Sequence, residues 1–256
     1  MNVPNMQQAA EARIARQLGQ YRFPYHWLPT ITDRGVVAGR AMQWALEYCG
    51  YMSIVAGEIK ATRARAVLDV GCGDGRLGSF LLDLAHVEYL GIDISQDAIS
   101  FAQGLNPSGR YSCVPLADVG EKFDLAVAVE VIEHIPDDIL HGFLCDIRRT
   151  IKPNGVFVVS VPSTVRKLHP KHFRHYDERL LEAQLLDAGF ALVKMYRLHR
   201  DSRFARLLQI MLTNRFFSLN PSFLTRWIWW AYQKYCLRAS PNDGAHILAV
   251  VSVPSV

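Results

Sequence analysis

Cysteine is scarce and shows no pairing pattern: five residues, Cys49, Cys72, Cys113, Cys145 and Cys236, with no C-x-x-C spacing. An odd, scattered set argues against a disulfide framework or a zinc knuckle and predicts reduced thiols in a cytoplasmic compartment. Long apolar runs are also missing. No stretch approaches the roughly 20 residues needed to span a bilayer. Met1 to Gln20 reads as a polar, alanine-containing helix without the apolar core of a signal peptide. No repeat or low-complexity tract interrupts the chain. Acids are missing from one region. Of 28 basic and 24 acidic residues, nine bases and one acid, Asp201, lie between Lys194 and Arg238, so the remainder carries 19 against 23. The net charge of +4 is therefore local. It predicts a surface for phosphates, an anionic substrate or acidic lipid heads.

What is present is an ordinary globular composition, 50% hydrophobic and 20% charged over 256 residues, enough for one large domain or a domain with additions. The most informative segment is Val67-Leu68-Asp69-Val70-Gly71-Cys72-Gly73-Asp74-Gly75, where a β-branched run enters three alternating glycines. A helix-compatible stretch, Arg76 to Leu84, follows. This is a strand, a tight turn and a helix start, with backbone bared for close approach of a ligand. A second apolar run, Val87 to Ile92, ends at Asp93. Ligands of open α/β sheets lie beyond the carboxyl ends of the strands, where an acid suits a ribose hydroxyl pair. A dinucleotide fingerprint would look similar, so charge decides. Asp69, Asp74 and Asp93 crowd the turn and no P-loop lysine is present. Three carboxylates repel a pyrophosphate but favour a ligand carrying an ammonium and a sulfonium. The turn favours S-adenosylmethionine over NAD.

Strand and helix patterns alternate from there. Strands are expected at Ala66–Val70, Val87–Ile92, Ser112–Pro115, Leu125–Val129 and Val156–Val161, then Phe190–Leu198 and Ala245–Val253. Helices are expected at Arg76–Leu84, Gln96–Gly104, Asp137–Ile151 and Glu178–Ala188, with Pro136 and two aspartates starting the third. Such alternation predicts a doubly wound, mostly parallel sheet. Before it, residues 1–64 form an N-terminal extension with a helix over Val36 to Lys60. Near the end, residues 200–244 form a long insertion with two helices, and insertions of that length usually carry function or an interface.

Five ordered motifs carry a resemblance to a known family: Asp69-Val-Gly-Cys-Gly-Asp-Gly75, Gly91-Ile-Asp93-Ile-Ser95, Phe123-Asp124-Leu125-Ala126-Val127, Glu130-Val-Ile-Glu-His-Ile-Pro136 and Ile151-Lys-Pro-Asn-Gly155. Together they resemble the class I S-adenosylmethionine-dependent methyltransferases, over about Ala66 to Val161 and more loosely through Ala188-Gly189-Phe190. The resemblance implies a Rossmann-like, seven-stranded, mostly parallel sheet with its last strand antiparallel, and S-adenosyl-L-methionine as donor. It implies donor contacts from Asp69, Gly71, Cys72, Gly73, Asp93, Ile94 and Glu130, and adenine-edge contacts from Leu116, Ala117 and Asp118. Asp118 reads equally well as a turn acid. Arg34 or Arg40 could meet the donor carboxylate.

Glu130-Val-Ile-Glu133-His134 follows a buried strand, beside the expected position of the transferred methyl. His134 is a candidate base for a hydroxyl acceptor; the alternative is that it only orients a loop. The histidine-rich loop Leu168 to Tyr176 offers an acceptor wall of His169, His175 and Tyr176, with His172 as a second catalytic candidate. Tyr25, His26 and Trp27 are candidates for a lid over the acceptor. The reading is metal-free. Small-RNA 3′-end 2′-O-methyltransferases carry a similar E-x-x-E-H with a later histidine, and ubiquinone-pathway O-methyltransferases resemble the same element. On that alternative Glu130, Glu133, His134 and His172 would hold Mn²⁺, Fe²⁺ or Zn²⁺.

The expectation is methyl transfer to an oxygen, less readily a nitrogen, of a small molecule such as a glycan, lipid-linked intermediate or secondary metabolite. The rivals are metal-assisted RNA ribose methylation and a non-catalytic donor-binding partner protein. The modest overall charge and the lack of an aromatic-basic RNA-recognition signature argue against nucleic acid. The tryptophan-rich insertion fits a peripheral membrane contact or a homodimer.

Overall fold

A computed structural model describes residues 6–18, 30–32, 35–37, 45–81, 87–214, 217, 219 and 223–255. The elements in chain order are α1 (Met6–Leu18), β1 (Thr30–Thr32), β2 (Gly35–Val37), α2 (Ala45–Thr62), β3 (Ala66–Val70), α3 (Arg76–Leu81), β4 (Glu88–Asp93), α4 (Gln96–Leu105), β5 (Arg110–Cys113) and β6 (Phe123–Val129). Then come α5 (Asp137–Thr150), β7 (Ile151–Pro162), α6 (Glu178–Asp187), β8 (Ala191–Arg200), α7 (Arg203–Leu212), α8 (Phe223–Tyr235), β9 (Arg238–Ala239) and β10 (Gly244–Ser252).

Eight strands form the main sheet in the order β5-β4-β3-β6-β7-β10-β8-β9. The first five run parallel, and β10 runs antiparallel to both β7 and β8. Seven strands match the expectation. The eighth, β9, is a correction: after α8 the chain pairs Leu198↔Arg238 and Arg197↔Ala239. Two residues leave no period in a sequence to read. A second correction concerns the helix expected from Val36. The β-branched Val36 and Val37 pair instead with Thr30 and Ile31 in a small hairpin, and α2 begins at Ala45.

Strict alternation along the central strands builds two apolar layers. Leu68, Val70, Ala126, Ala128, Phe157 and Val159 pack with Leu140, Leu144 and Ile147 of α5 and with Leu181 and Leu185 of α6. On the other face Val67, Leu125, Val127 and Val158 pack with Val55 and Ile59 of α2, Leu77 and Leu81 of α3, and Ile99 and Ala102 of α4. Strands covered on both sides read as near-continuous apolar runs, as these do. Serine and aspartate cap the helices: Ser95 accepts from the Ala98 amide (3.3 Å), Asp177 from Leu180 (2.8 Å) and Ser202 from Ala205 (3.1 Å). A third apolar cluster joins α7 and α8 to Leu46 of α2. Among the described residues no helix is long and apolar enough to cross a membrane.

Candidate active site

The parallel strands all aim their carboxyl ends at one edge of the sheet, and the turn after β3 is its centre. Gly71, Gly73 and Gly75 all have positive φ (71°, 54° and 72°). A Cβ on Gly71 would lie 2.7 Å from Val131 Cγ2, so the glycine turn abuts the segment that follows β6. The Gly71 and Cys72 amides both donate to the Ile92 carbonyl, at 2.8 and 2.9 Å. This locks the turn to the end of β4.

Asp69 is buried and accepts the Tyr89 hydroxyl at 2.5 Å. Burial pushes its carboxyl up to about 7, and the Tyr89 hydrogen bond only partly opposes this. Asp93 holds the turn from the next strand, its two oxygens accepting the Gly73 amide at 3.0 Å and the Ser95 amide at 2.9 Å. Burial raises Asp93 as well, against those backbone bonds. Ile94 beside it is 67% exposed, an apolar side chain turned to solvent. Cys72 is buried and its thiol is raised by burial, so it is an unreactive lining group. Leu116, Ala117 and Asp118 form one 3-10 turn beyond β5. Leu116 sends its side chain into the core, leaving only its backbone for a ligand, while Ala117 and Asp118 are exposed.

Glu130 directly follows β6 and has a φ of 57°, rare for a residue with a Cβ. Its carboxylate accepts the Ser160 hydroxyl and meets His246 Nδ1, both at 3.0 Å. On the far side His246 Nε2 lies 2.6 Å from Glu47 Oε1, and Arg166 grips the same Glu47 with two hydrogen bonds of 2.5 and 3.0 Å. Burial would lower His246, but the two flanking carboxylates win and lift it to about 10. Burial would raise Glu47, and His246 with Arg166 overrides that and holds it well below the usual carboxylate range. Sequence reasoning missed this Glu130–His246–Glu47–Arg166 chain, in which His246 is buried and its partners are half-buried. The one available signal was a histidine set within the apolar run of β10.

Glu133, His134 and His172 converge beside it. One ligand-capable atom from each lies within 4.8 Å of the others. Glu133 is fully buried, both its carboxyl oxygens lack a hydrogen-bond partner, and burial followed by Glu130 raises it well above the usual range. His134 Nδ1 donates to the Lys171 carbonyl (3.2 Å), which leaves the Nε2 lone pair facing Glu133 Oε1 at 3.7 Å. His175 Nδ1 donates to the Arg166 carbonyl (3.1 Å), so its Nε2 accepts from His172 Nδ1 (2.9 Å) and the His172 Nε2 lone pair is left over. Burial lowers His134 to about 4 and His172 to about 3, so both rings are neutral. Backbone-anchored imidazoles with outward lone pairs beside an unpartnered carboxyl can either accept a proton or hold a divalent cation. Of the four residues of the alternative metal set, three come together. Glu130 does not, being held by Ser160 and His246.

The wall of histidines is real in geometry: the His172 ring lies 5.1 Å from both His169 and His175 and 4.7 Å from His134. Tyr176 is a correction. It is fully buried under the sheet, bridging backbone to Ser163, with its hydroxyl 3.4 Å from Arg174 Nη1. It therefore cannot touch an acceptor. From α1, the Arg13 guanidinium donates to the His172 carbonyl and stacks 4.9 Å from the Phe173 ring. Tyr25, His26, Trp27, Arg34 and Arg40 lie outside the described residues.

A methyltransferase-domain family matches residues 55–195, the span that contains the glycine turn, the convergent acids and the histidine wall. The chain belongs to that family. Ubiquinone biosynthesis O-methyltransferases are among its relatives. The protein of Azorhizobium caulinodans is 33% identical over 112 residues, covering 41% of this chain and 43% of that one. The protein of Bradyrhizobium diazoefficiens is 38% identical over 100 residues, covering 37% and 38%. The chain thus spans less than half the length of these two curated relatives. The crystal structure of Burkholderia thailandensis 1,6-didemethyltoxoflavin-N1-methyltransferase, with 1,6-didemethyltoxoflavin and S-adenosylhomocysteine bound, shares the fold at a TM-score of 0.61. It is 17% identical, over 100% of this chain and 94% of that one.

Proposed function

We propose that this protein transfers a methyl group from S-adenosyl-L-methionine to an oxygen of a small-molecule acceptor. The observation that supports the reading is the close approach of the glycine turn to Val131, three residues before a neutral His134 whose Nδ1 is bound to the Lys171 carbonyl. Asp69 then acts on the donor's ammonium through the turn amides or a water and Asp93 takes its ribose hydroxyls, while the Gly71 and Gly73 backbone lets the methionine portion approach. Ile94 packs on the adenine, beside the 116–118 turn. The acceptor lies against His169, His172 and His175, with residues 1–64 as its cover and residues 65–256 as the catalytic domain. Methyl transfer is an in-line displacement, so the main work is alignment and exclusion of water. An oxygen acceptor must also lose a proton, and on this reading His134 Nε2 receives it. The ubiquinone relatives, named as O-methyltransferases, support oxygen over nitrogen.

Calorimetry with S-adenosylmethionine and S-adenosylhomocysteine tests the donor site. Asp93→Ala is expected to weaken both by about 10- to 100-fold, the worth of charge-assisted hydrogen bonds. Unchanged affinity would place the ribose elsewhere. Release of S-adenosylhomocysteine over a panel of phenols and alcohols tests the reaction; donor binding without turnover on any acceptor would leave a non-catalytic binding protein.

The orphaned Glu133 carboxyl favours a second reading. Glu133, His134 and His172 fit a divalent cation of the Mn²⁺, Fe²⁺ or Zn²⁺ type, and such an ion would lower the pKa of an acceptor hydroxyl bound to it. On that reading EDTA removes activity and one of these ions restores it. Full activity after exhaustive chelation would reject it.

A further inference from the structure

The α7–α8 hairpin has two apolar faces, and among the described residues only one of them is packed. Ala205, Leu208, Ile228, Ala231 and Tyr232 turn inward against Leu46, Cys236 and Leu237. The outward face is apolar again. On α8, Phe223, Trp227 and Trp230 share one side of the helix at 84%, 45% and 49% exposure. On α7, Leu207 and Ile210 are 51% and 57% exposed. The two stripes are continuous, because the Tyr235 ring lies 6.1 Å from Phe204 and 6.1 Å from Trp230. A run of large exposed apolar side chains on adjacent helices marks an interaction site.

We infer that this face docks the protein onto an anionic lipid surface. Charge selects the occupant. Between Asp201 and Asp243 the sequence has six Lys and Arg and no acid. Arg226 lies on the exposed side of α8 among the tryptophans, and Lys234 stands 5.0 Å over the Trp230 ring. Two copies of this face packed on a two-fold axis would bring Arg226 and Lys234 against the same charges of the second copy, with no acid on α7 or α8 to answer them. An anionic bilayer answers Arg226 and Lys234 together. The shape agrees: Phe223 and the tryptophans protrude from the helices, as suits insertion at the headgroup boundary, where amphipathic aromatic rings and basic side chains are favoured together.

The inner side of the hairpin ties this surface to the candidate active site. The Tyr232 hydroxyl is 2.8 Å from His199 Nδ1, His199 Nε2 is 3.4 Å from Glu47, and the Leu46 amide donates to the Gln209 side chain at 2.9 Å. The membrane-facing hairpin therefore buttresses α2, whose Glu47 belongs to the charged chain ending at Glu130. The docking inference stands whether or not the proposed methyl transfer is correct.

Sedimentation with vesicles tests it directly. The purified chain is mixed with vesicles of phosphatidylcholine alone or with about 30% phosphatidylglycerol, the anionic fraction that supplies the surface potential. Expected is binding to the anionic vesicles only, reversed by high salt, and lost by at least tenfold in Trp227→Ala/Trp230→Ala. Arg226→Ala and Lys234→Ala should each weaken it by roughly fivefold, the worth of one basic residue at such a surface. Donor affinity by calorimetry should be unchanged in every variant, which separates lost docking from lost folding and from failure of the methyl-transfer reading. Failure to sediment with anionic vesicles at low salt would overturn the inference. So would light scattering that shows a dimer broken by the tryptophan substitutions. Equal binding of wild type and the tryptophan variant to a soluble polyanion and to the vesicles would also overturn it, reducing the face to a basic patch for acidic proteins.

Discussion

His134→Ala is expected to lower turnover by about 10²- to 10⁴-fold, the range lost with a general base, while leaving donor affinity intact. The geometry is specific about the atom: Nδ1 is committed to the Lys171 carbonyl, so only Nε2 can take a proton. Burial holds the ring down to about 4, so it is ready as a base throughout the neutral range. The rate should therefore show no acid limb near 6.5, the ordinary histidine value, and should fall only as pH approaches about 4. So weak a base matches an acidic hydroxyl better than an aliphatic alcohol. A phenol, with pKa of about 10, should be the faster acceptor, because the proton has less far to climb. A loss of only a few-fold in the alanine variant, or an acid limb near 6.5 that persists in it, would reduce His134 to an orienting residue.

The parts of the site that could be read from the chain are those built by neighbours in sequence. Asp69, Gly71, Gly73 and Gly75 sit on one strand and turn, so their spacing alone carries their geometry. Asp93 ends the adjacent parallel strand, in register with Asp69↔Gly91 and Val70↔Ile92, so strand alternation places it at the same edge. The helix starts at Ser95, Asp137 and Asp177 announce themselves by capping chemistry and charge. Tyr176 was misplaced for an instructive reason. An aromatic residue after three histidines suggests a pocket, yet its neighbour Arg174 reaches the Ile132 and Ile135 carbonyls at 2.8 and 2.7 Å and Asp137 at 2.7 Å, which pins the loop's end into the core. Those bonds span about forty positions. The Glu47–His246 contact spans 199 and the Glu47–Arg166 contact 119, and no local pattern encodes pairings so remote. The partners of Glu130 were hidden by the same gap: its carboxylate meets Ser160 of β7 and His246 of β10.

That long-range chain sets up the second large effect. His246→Leu leaves the half-buried Glu47 and Glu130 without the buried imidazolium between them, and removal of one partner from a fully buried ion pair costs about 3–5 kcal/mol, which is the upper bound here. A large fall in denaturation midpoint is expected, and Glu47→Gln added to His246→Leu should recover part of it by deleting one uncompensated charge. The effect depends on pH with a definite sign. His246 is raised from 6.5 to about 10, so its contribution is complete below 6.5 and is lost as pH rises through about 10. Glu47 is lowered from 4.5, so its contribution is complete above 4.5 and is lost as pH falls through its depressed value. Both are therefore fully expressed between 4.5 and 6.5. Urea unfolding of wild type and variant, taken as a difference at each pH, removes the contribution of Asp69 that both proteins share. The difference should be widest in that window and shrink steadily towards pH 10. A difference that stayed level across the alkaline range would mean that His246 is neutral in the native protein, and that the two carboxylates are held apart by hydrogen bonds alone.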